Sequence, residues 1–255
     1  NSGWVVFLSP EAYRGPLTLN YRSDTDPFRL LQTKQSARIA AGSISIPDAG
    51  LLINTGQAVT WESPPPPHGI LPPEQRKTQC ALVARQLLGI KQTSQLSELL
   101  PLLLGWVDRA EFQDNSLLPL LDDVKRSLHR RQATEIAHSL VALLGMGSGL
   151  TPSGDDVAIG FLLAMARWGH ELAPDLDIGA LGQMILPQAY RKTTTLSANM
   201  IDCALRGQAN ERLLLALDGI LSGNAHASAC SDLLAGWGNT SGLDALLGIS
   251  LAIGV

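Results

Sequence analysis

Charge is scarce in this chain: Asp, Glu, Lys and Arg make up 16% of its residues, against 45% hydrophobic ones. So apolar a composition excludes intrinsic disorder, and a surface this economical in charge points to partners that cover part of it. The balance is slightly acidic, net −4, with no run of Lys and Arg and no interleaving of basic with aromatic residues. That argues against nucleic acid as a partner. Cysteine is also sparse. Cys80, Cys203 and Cys230 are odd in number, far apart and without a Cys-x-x-Cys pair for zinc or redox work, and they read as buried free thiols of a reducing cytosol. His68, His129, His138, His170 and His226 show no i, i+3 or i, i+4 pairing and no metal-ligand spacing to a cysteine, so no histidine metal centre is expected. A Gly-x-Ser-x-Gly elbow is missing, which argues against triad chemistry. The longest apolar stretch, Val157 to Trp168, is interrupted by Gly160 and Arg167 and is too short to span a bilayer. Nothing at the start reads as a signal peptide, and a cytoplasmic protein without a membrane partner is expected.

What is present falls into two parts. From Trp4 to Trp61, short apolar runs (Trp4 to Leu8, Leu17 to Leu19, Gly42 to Ile46, Leu51 to Ile53, Ala58 to Trp61) alternate with turn residues such as Pro47-Asp48-Ala49-Gly50 and Asn54-Thr55-Gly56-Gln57. The pattern predicts a β-rich module over residues 1–63. Prolines at 64 to 67, 72 and 73 then form a segment that can join neither a sheet nor a helix interior, and residues 64–73 are expected to be an extended linker. After it the periodicity is helical throughout 74–255. Helices are predicted over 74–89, 94–106, 117–144, 155–170, 178–190, 195–207, 210–221, 225–236 and 241–253. The expected fold is α+β, with a small β-rich module followed by a mainly helical domain.

The most informative feature is a glycine-rich signature, Gly145-Met146-Gly147-Ser148-Gly149-Leu150-Thr151-Pro152-Ser153-Gly154-Asp155-Asp156, with a shortened copy about 90 residues later. Ser153 to Gly160 and Ser241 to Gly248 share the frame Ser-Gly-x-Asp-x-x-x-Gly, and each opens an apolar helix. Helix starts expose unpaired backbone N–H groups and about half a positive charge, so two of them make a candidate anion site. Gly149 to Gly154 has the glycine spacing of a phosphate-binding P-loop, but Asp155 and Asp156 stand where the lysine and hydroxyl belong. Two carboxylates would repel a bare triphosphate. They instead cap the helix, hold a divalent cation, or accept hydrogen bonds from substrate N–H groups. Capping alone is the plain alternative, because Ser153-x-x-Asp156 and Ser241-x-x-Asp244 both fit a capping box, yet it leaves the glycines at 145, 147, 149 and 154 unexplained, and close approach of a ligand explains them. A third constellation, Arg191 to Asn199, places Arg191, Thr195 and Asn199 on one helical face with Thr193 and Ser197 beside them. It is either a helix start with threonine caps or an anion-facing polar stripe.

These three segments resemble the AllH-like family: Gly147 to Asp156, Arg191 to Ser197, and Gly238-Asn239-Thr240-Ser241-Gly242-x-Asp244 through Gly248. The resemblance implies a subunit of an oxamate carbamoyltransferase, working with other subunits in purine and allantoin nitrogen catabolism. There carbamoyl phosphate and oxamate interconvert with oxalurate and phosphate. On that basis Asp155, Asp156 and Arg191 are expected to be catalytic, with Mg2+ a candidate cofactor at Asp155 and Asp156. Gly147, Gly149, Thr151, Ser153, Gly154, Thr194, Thr195, Ser197, Asn199, Thr240, Ser241 and Asp244 are expected to bind the anionic substrate. The rival reading is a non-catalytic assembly or anion-sensing subunit; a Mg2+-nucleotide phosphotransferase ranks last.

Overall fold

The computed structural model describes residues 3–22, 29 and 31–254. The first quarter holds two small sheets. Strands β1 (Phe7–Ser9) and β2 (Thr18–Asn20) pair in parallel, and β3 (Arg38–Ala40), β4 (Ser43–Ile46) and β5 (Leu51–Asn54) form an antiparallel meander with Ile44 opposite both Ile39 and Ile53. The β3–β4 hairpin turns at Gly42, in the left-handed region at φ 78°, a conformation that favours glycine. Two sequence expectations need correction here. Arg38–Ala40 is a strand that its single large apolar residue, Ile39, does not advertise. Ala58 to Trp61 is not one: the chain turns at Thr55, whose carbonyl accepts from the Ala58 amide at 3.0 Å, and Trp61 instead donates its indole N–H to Glu211 Oε1 at 2.9 Å.

The proline segment lies against the helices. Arg167 donates to the Pro64 carbonyl at 3.0 Å and the Leu71 amide to the Leu221 carbonyl at 2.8 Å. Ten α-helices follow among the described residues: α1 (Pro73–Leu88), α2 (Leu100–Leu103), α3 (Leu118–His129), α4 (Ala133–Leu143), α5 (Ser153–Leu172), α6 (Ile178–Lys192), α7 (Thr195–Leu205), α8 (Glu211–Ser222), α9 (Ala227–Ala235) and α10 (Ser241–Ala252). The single helix expected over 117–144 is two. Arg131 enters the left-handed region at φ 55° and Gln132 is extended, and a break made by such residues carries no glycine or proline signal. The helix expected over 94–106 is mostly 3-10 and turn, with one α-turn at its centre.

Helices α5 and α10 are the centre of the core. Gly154 to Met165 and Gly242 to Ala252 are buried without interruption, because other helices cover both all round. They cross through the repeated frame. A β-carbon at Gly160 would lie 2.1 Å from the Ala245 carbonyl oxygen, and one at Gly248 would lie 2.0 Å from that of Val157. The last glycine of each frame thus packs on the residue four after the serine of the other, an internal pseudo-twofold. The first glycines repeat the rule one layer out: a β-carbon at Gly154 would meet the Leu143 carbonyl oxygen at 1.9 Å, and one at Gly242 that of Leu234 at 2.1 Å. The repeat therefore begins earlier than the serine, with Leu143-x-Gly145-x-Gly147 matching Leu234-x-Gly236-x-Gly238.

Gly160→Ala and Gly248→Ala should each lower stability by at least about 1–3 kcal/mol, the usual cost of overpacking a close contact, read as an earlier midpoint in urea unfolding. A midpoint unchanged in both variants would show that the crossing is looser than described.

Candidate functional site

The first loop is held from behind by the junction of α6 and α7. Asp155 Oδ1 accepts the Gly145 amide at 2.8 Å and Oδ2 accepts the Thr193 hydroxyl. The Leu150 carbonyl accepts the hydroxyls of Thr194, at 2.6 Å, and Ser197, at 3.4 Å. Thr194 is also the N-cap of α7, its oxygen accepting the Ser197 amide at 3.1 Å. Gly147, at φ 108°, lets the loop fold onto Ser153, whose amide would sit 2.8 Å from a β-carbon there. Residues 147–150 remain exposed, so the loop is braced on one side and open on the other.

Neither serine caps its helix. The N-caps are Pro152 and Thr240, and neither makes a side-chain capping bond. This overturns the capping-box reading: Ser153 and Ser241 are the first helical residues, one position too late. The fourth residue of each frame reaches across the pseudo-twofold instead. Asp156 lies beside the Ser241 hydroxyl, and Asp244 beside that of Ser153. The two starts face each other, with Thr151 Oγ1 and Ser241 Oγ 3.5 Å apart. Among the described residues the amides of Ser153, Ser241 and Gly242 donate to no protein acceptor.

The three carboxylates differ. Asp155 has both oxygens engaged; burial raises its pKa, and the bonds from Thr193, Gly145 and Ser197 oppose the rise. Asp156 is fully buried with neither oxygen hydrogen-bonded. Burial holds its pKa well above the usual carboxylate range, and the neighbouring Asp244 and Asp155 charges raise it further. Ser241 and Thr151 ease that charge without satisfying it. Asp244, also buried, accepts the Ser94 hydroxyl on Oδ1 and leaves Oδ2 without a partner. Burial raises its pKa too, against the hydroxyls of Ser94, Thr240, Ser153 and Ser97. Asp155 and Asp156 thus turn to different neighbours, and Asp156 faces Asp244.

A cavity of about 440 Å³ opens in front of these starts, walled by residues of the N-terminal module from Phe7 to Thr18 and by Leu150, Thr151, Ile159, Met200, Trp237 and Ser241. Its cation is Arg212, which sequence reasoning missed. The Arg212 guanidinium stacks 4.0 Å from the Tyr13 ring centroid, contacts Glu11 at 3.4 Å, and leaves a buried Nε without a partner. It lies on the second glycine loop so closely that a β-carbon at Gly236 would be 2.0 Å from its Nη1. No spacing or motif marks this arginine at the start of α8. Only its place against the repeat does.

Of the residues expected to bind, Thr151 and Ser241 line the cavity. Gly147, Ser153, Gly154, Thr194, Ser197, Thr240 and Asp244 build the helix starts behind it. Gly149, at φ 95° with nothing close to it, is at the open side of the loop. The expected stripe of Arg191, Thr195 and Asn199 does not form, because α6 ends at Lys192 and Thr193 is extended. Arg191 and Thr195 are exposed and outside the cavity lining. Asn199 is a tether: its Oδ1 accepts the Val5 amide at 2.8 Å, and its Nδ2 donates to the Gly3 carbonyl at 3.3 Å and to the Tyr190 hydroxyl at 3.0 Å. Among the described residues no three of His, Cys, Asp and Glu gather as metal ligands, and no helix is long and apolar enough to cross a membrane.

A carboxyl whose pKa is raised on folding binds its proton more tightly in the native state, so its contribution to stability is full below the unfolded value, near 3.8, and is lost as pH rises through the folded value. In chelator at neutral pH, Asp156→Asn should therefore be more stable than the unsubstituted chain, by about 1–3 kcal/mol, the cost of an unsatisfied buried polar group. The gap should close towards pH 4. Denaturant titrations at several pH values measure it, and a gap that widens on acidification contradicts the assignment.

No solved structure matches this chain. Residues 143–253 match the model of the family described as oxamate carbamoyltransferase subunit AllH, a stretch that takes in both glycine loops, both Ser-Gly-x-Asp starts and the helices between them.

Proposed function

We propose that the chain is a subunit of a carbamoyltransferase of the oxamate type, and that the cavity before α5 and α10 receives a small anion of that reaction, carbamoyl phosphate or oxamate. The observation that carries the reading is that the family match spans both glycine loops, and these loops meet at facing helix starts beside a cavity that holds an arginine. In this reading the Ser241 and Gly242 amides and the positive end of α10 receive the phosphate or carboxylate. Thr151 and Ser241 donate hydroxyl hydrogen bonds, and the Arg212 guanidinium supplies the balancing charge. The role expected of Arg191 passes to Arg212, because Arg212 is the arginine in the cavity wall.

The transfer joins the amide nitrogen of oxamate to the carbamoyl carbon, breaks the bond from that carbon to the phosphate oxygen, and releases one proton from the nitrogen. The donors around the cavity are suited to the negative charge that builds on the carbonyl oxygen and the leaving phosphate. Glu11 is the carboxylate in the cavity lining, at its exposed rim, so proton removal falls to it or to a residue of another subunit. That scarcity of bases favours a second reading, in which this subunit binds the anion and its partners carry out the chemistry. The purine-nitrogen pathway is the metabolic setting that either reading implies.

Calorimetry of the full chain with carbamoyl phosphate, oxamate and inorganic phosphate should show binding of at least one of them. Arg212→Met should weaken it by about 10–100-fold, the worth of a charge-assisted hydrogen bond, while Arg191→Ala leaves it unchanged. No binding of any of the three to the chain, alone or with its co-expressed partner subunits, would remove the proposal.

A further inference from the structure

We infer that Asp156 and Asp244 form a site for one hard divalent cation of the Mg2+ class, held across the pseudo-twofold between the starts of α5 and α10. Three carboxylate oxygens, Asp156 Oδ1 and Oδ2 and Asp244 Oδ2, are buried and without a hydrogen-bond partner, and both residues have no solvent exposure. Unsatisfied buried carboxylate oxygens are costly and rare in native folds, and here they occur in the first turns of two helices whose starts face each other. Neither carboxylate is offset by a basic side chain, since the groups beside them are the hydroxyls of Thr151, Ser153, Ser241, Ser94, Ser97 and Thr240 and the Asp155 carboxylate.

The internal repeat argues that the charge is wanted. Both copies of the frame place an aspartate at the same position, each beside the serine of the other copy. Had the need been only for a polar group that bonds neutral hydroxyls, asparagine or serine would serve without the desolvation cost of an ion. Protonation removes the charge, but it forfeits the favourable field of two helix N-termini. A divalent cation answers all three orphaned oxygens at once.

The donor set identifies the class of ion. Every candidate ligand is oxygen, from carboxylate or hydroxyl, with no cysteine or histidine among the neighbours of either aspartate, which selects hard cations over zinc or copper. Two carboxylates are too few for calcium, which takes six to eight oxygens, whereas magnesium is six-coordinate and commonly uses one or two carboxylates; the hydroxyls of Thr151, Ser153 and Ser241 beside them are the oxygens that would help complete its shell. Asp155 stays outside the site because Gly145 and Thr193 occupy its oxygens. The cation thus belongs between Asp156 and Asp244 and not at the neighbouring pair Asp155 and Asp156. From there it would sit directly behind Thr151 and Ser241, the two hydroxyls that line the cavity.

The inference does not rest on the carbamoyltransferase reading, because cation binding is measured without substrate. The full chain, stripped with chelator, is titrated with Mg2+ and with Mn2+ alone, followed by calorimetry, thermal unfolding and the electron paramagnetic resonance of Mn2+. One ion should bind per chain and, at a hundredfold excess over Kd, raise Tm by at least about 3 °C. Asp156→Asn and Asp244→Asn should each weaken binding more than tenfold, and Asp155→Asn much less. No saturable binding of either ion to the unsubstituted chain at millimolar concentration, a result that needs no variant to fold, would overturn the site. So would full retention of binding in both Asp156→Asn and Asp244→Asn. Cation binding without anion binding would leave this site standing while removing the proposed function, and the reverse result would do the opposite.

Discussion

The close crossing of α5 and α10 is the contact on which the rest of the molecule depends. Two backbones can approach until one glycine rests on the other helix's carbonyl only where no β-carbon intervenes, and Gly160 and Gly248 supply that freedom in pseudo-twofold positions. At such proximity the first turns of the two helices come together as well, and everything chemically interesting lies there: the facing serines, the crossed aspartates and the two glycine loops. The final glycine of the Ser-Gly-x-Asp-x-x-x-Gly frame is therefore a packing residue, and the rest of the frame is delivered to its partner by that packing.

The polar groups around this crossing divide into braces and unsatisfied groups. Asp155, Thr193, Thr194, Ser197 and Asn199 spend their hydrogen bonds on backbone atoms and on one another, and they hold the first loop and the N-terminal strand in place. Asp156, one oxygen of Asp244 and Nε of Arg212 have no such use inside the chain. Most of the buried side-chain polar atoms left over among the described residues, all but Arg76 Nε, thus fall around this crossing and the cavity beside it, which is the observation behind the proposed sites.

Much of this was legible from residue order. The change from period-two to helical patterning near the prolines, seven of the nine expected helices and the repeated serine frame could all be read, because apolar periodicity and glycine spacing are local signals. The break at Arg131 could not, since a left-handed arginine has no sequence mark, and the strand at Arg38–Ala40 carries too little hydrophobicity to be seen. The two helix starts were legible and their surroundings were not, for a physical reason. Spacing located the helix starts, but the choice of which aspartate faces the other frame is set by helix rotation against a partner 90 residues away. Arg191 drew notice through its run of hydroxyl neighbours, whereas Arg212 gains its position from the fold alone. The serine caps failed because one residue of register separates an N-cap from a first helical residue.

Glu211 receives the backbone amide and the guanidinium of Arg14 together with the indole of Trp61, and its own amide donates to the Arg14 carbonyl. The next residue along the chain is Arg212. Docking of the N-terminal quarter and placement of the cavity's cation are thereby a single event: a chain whose first strands came away would lose the roof of the pocket and the alignment of its charge in the same movement. If the pocket takes the anion proposed for it, occupancy and attachment of that quarter would reinforce each other, and the ligand would fasten the first strands to α8.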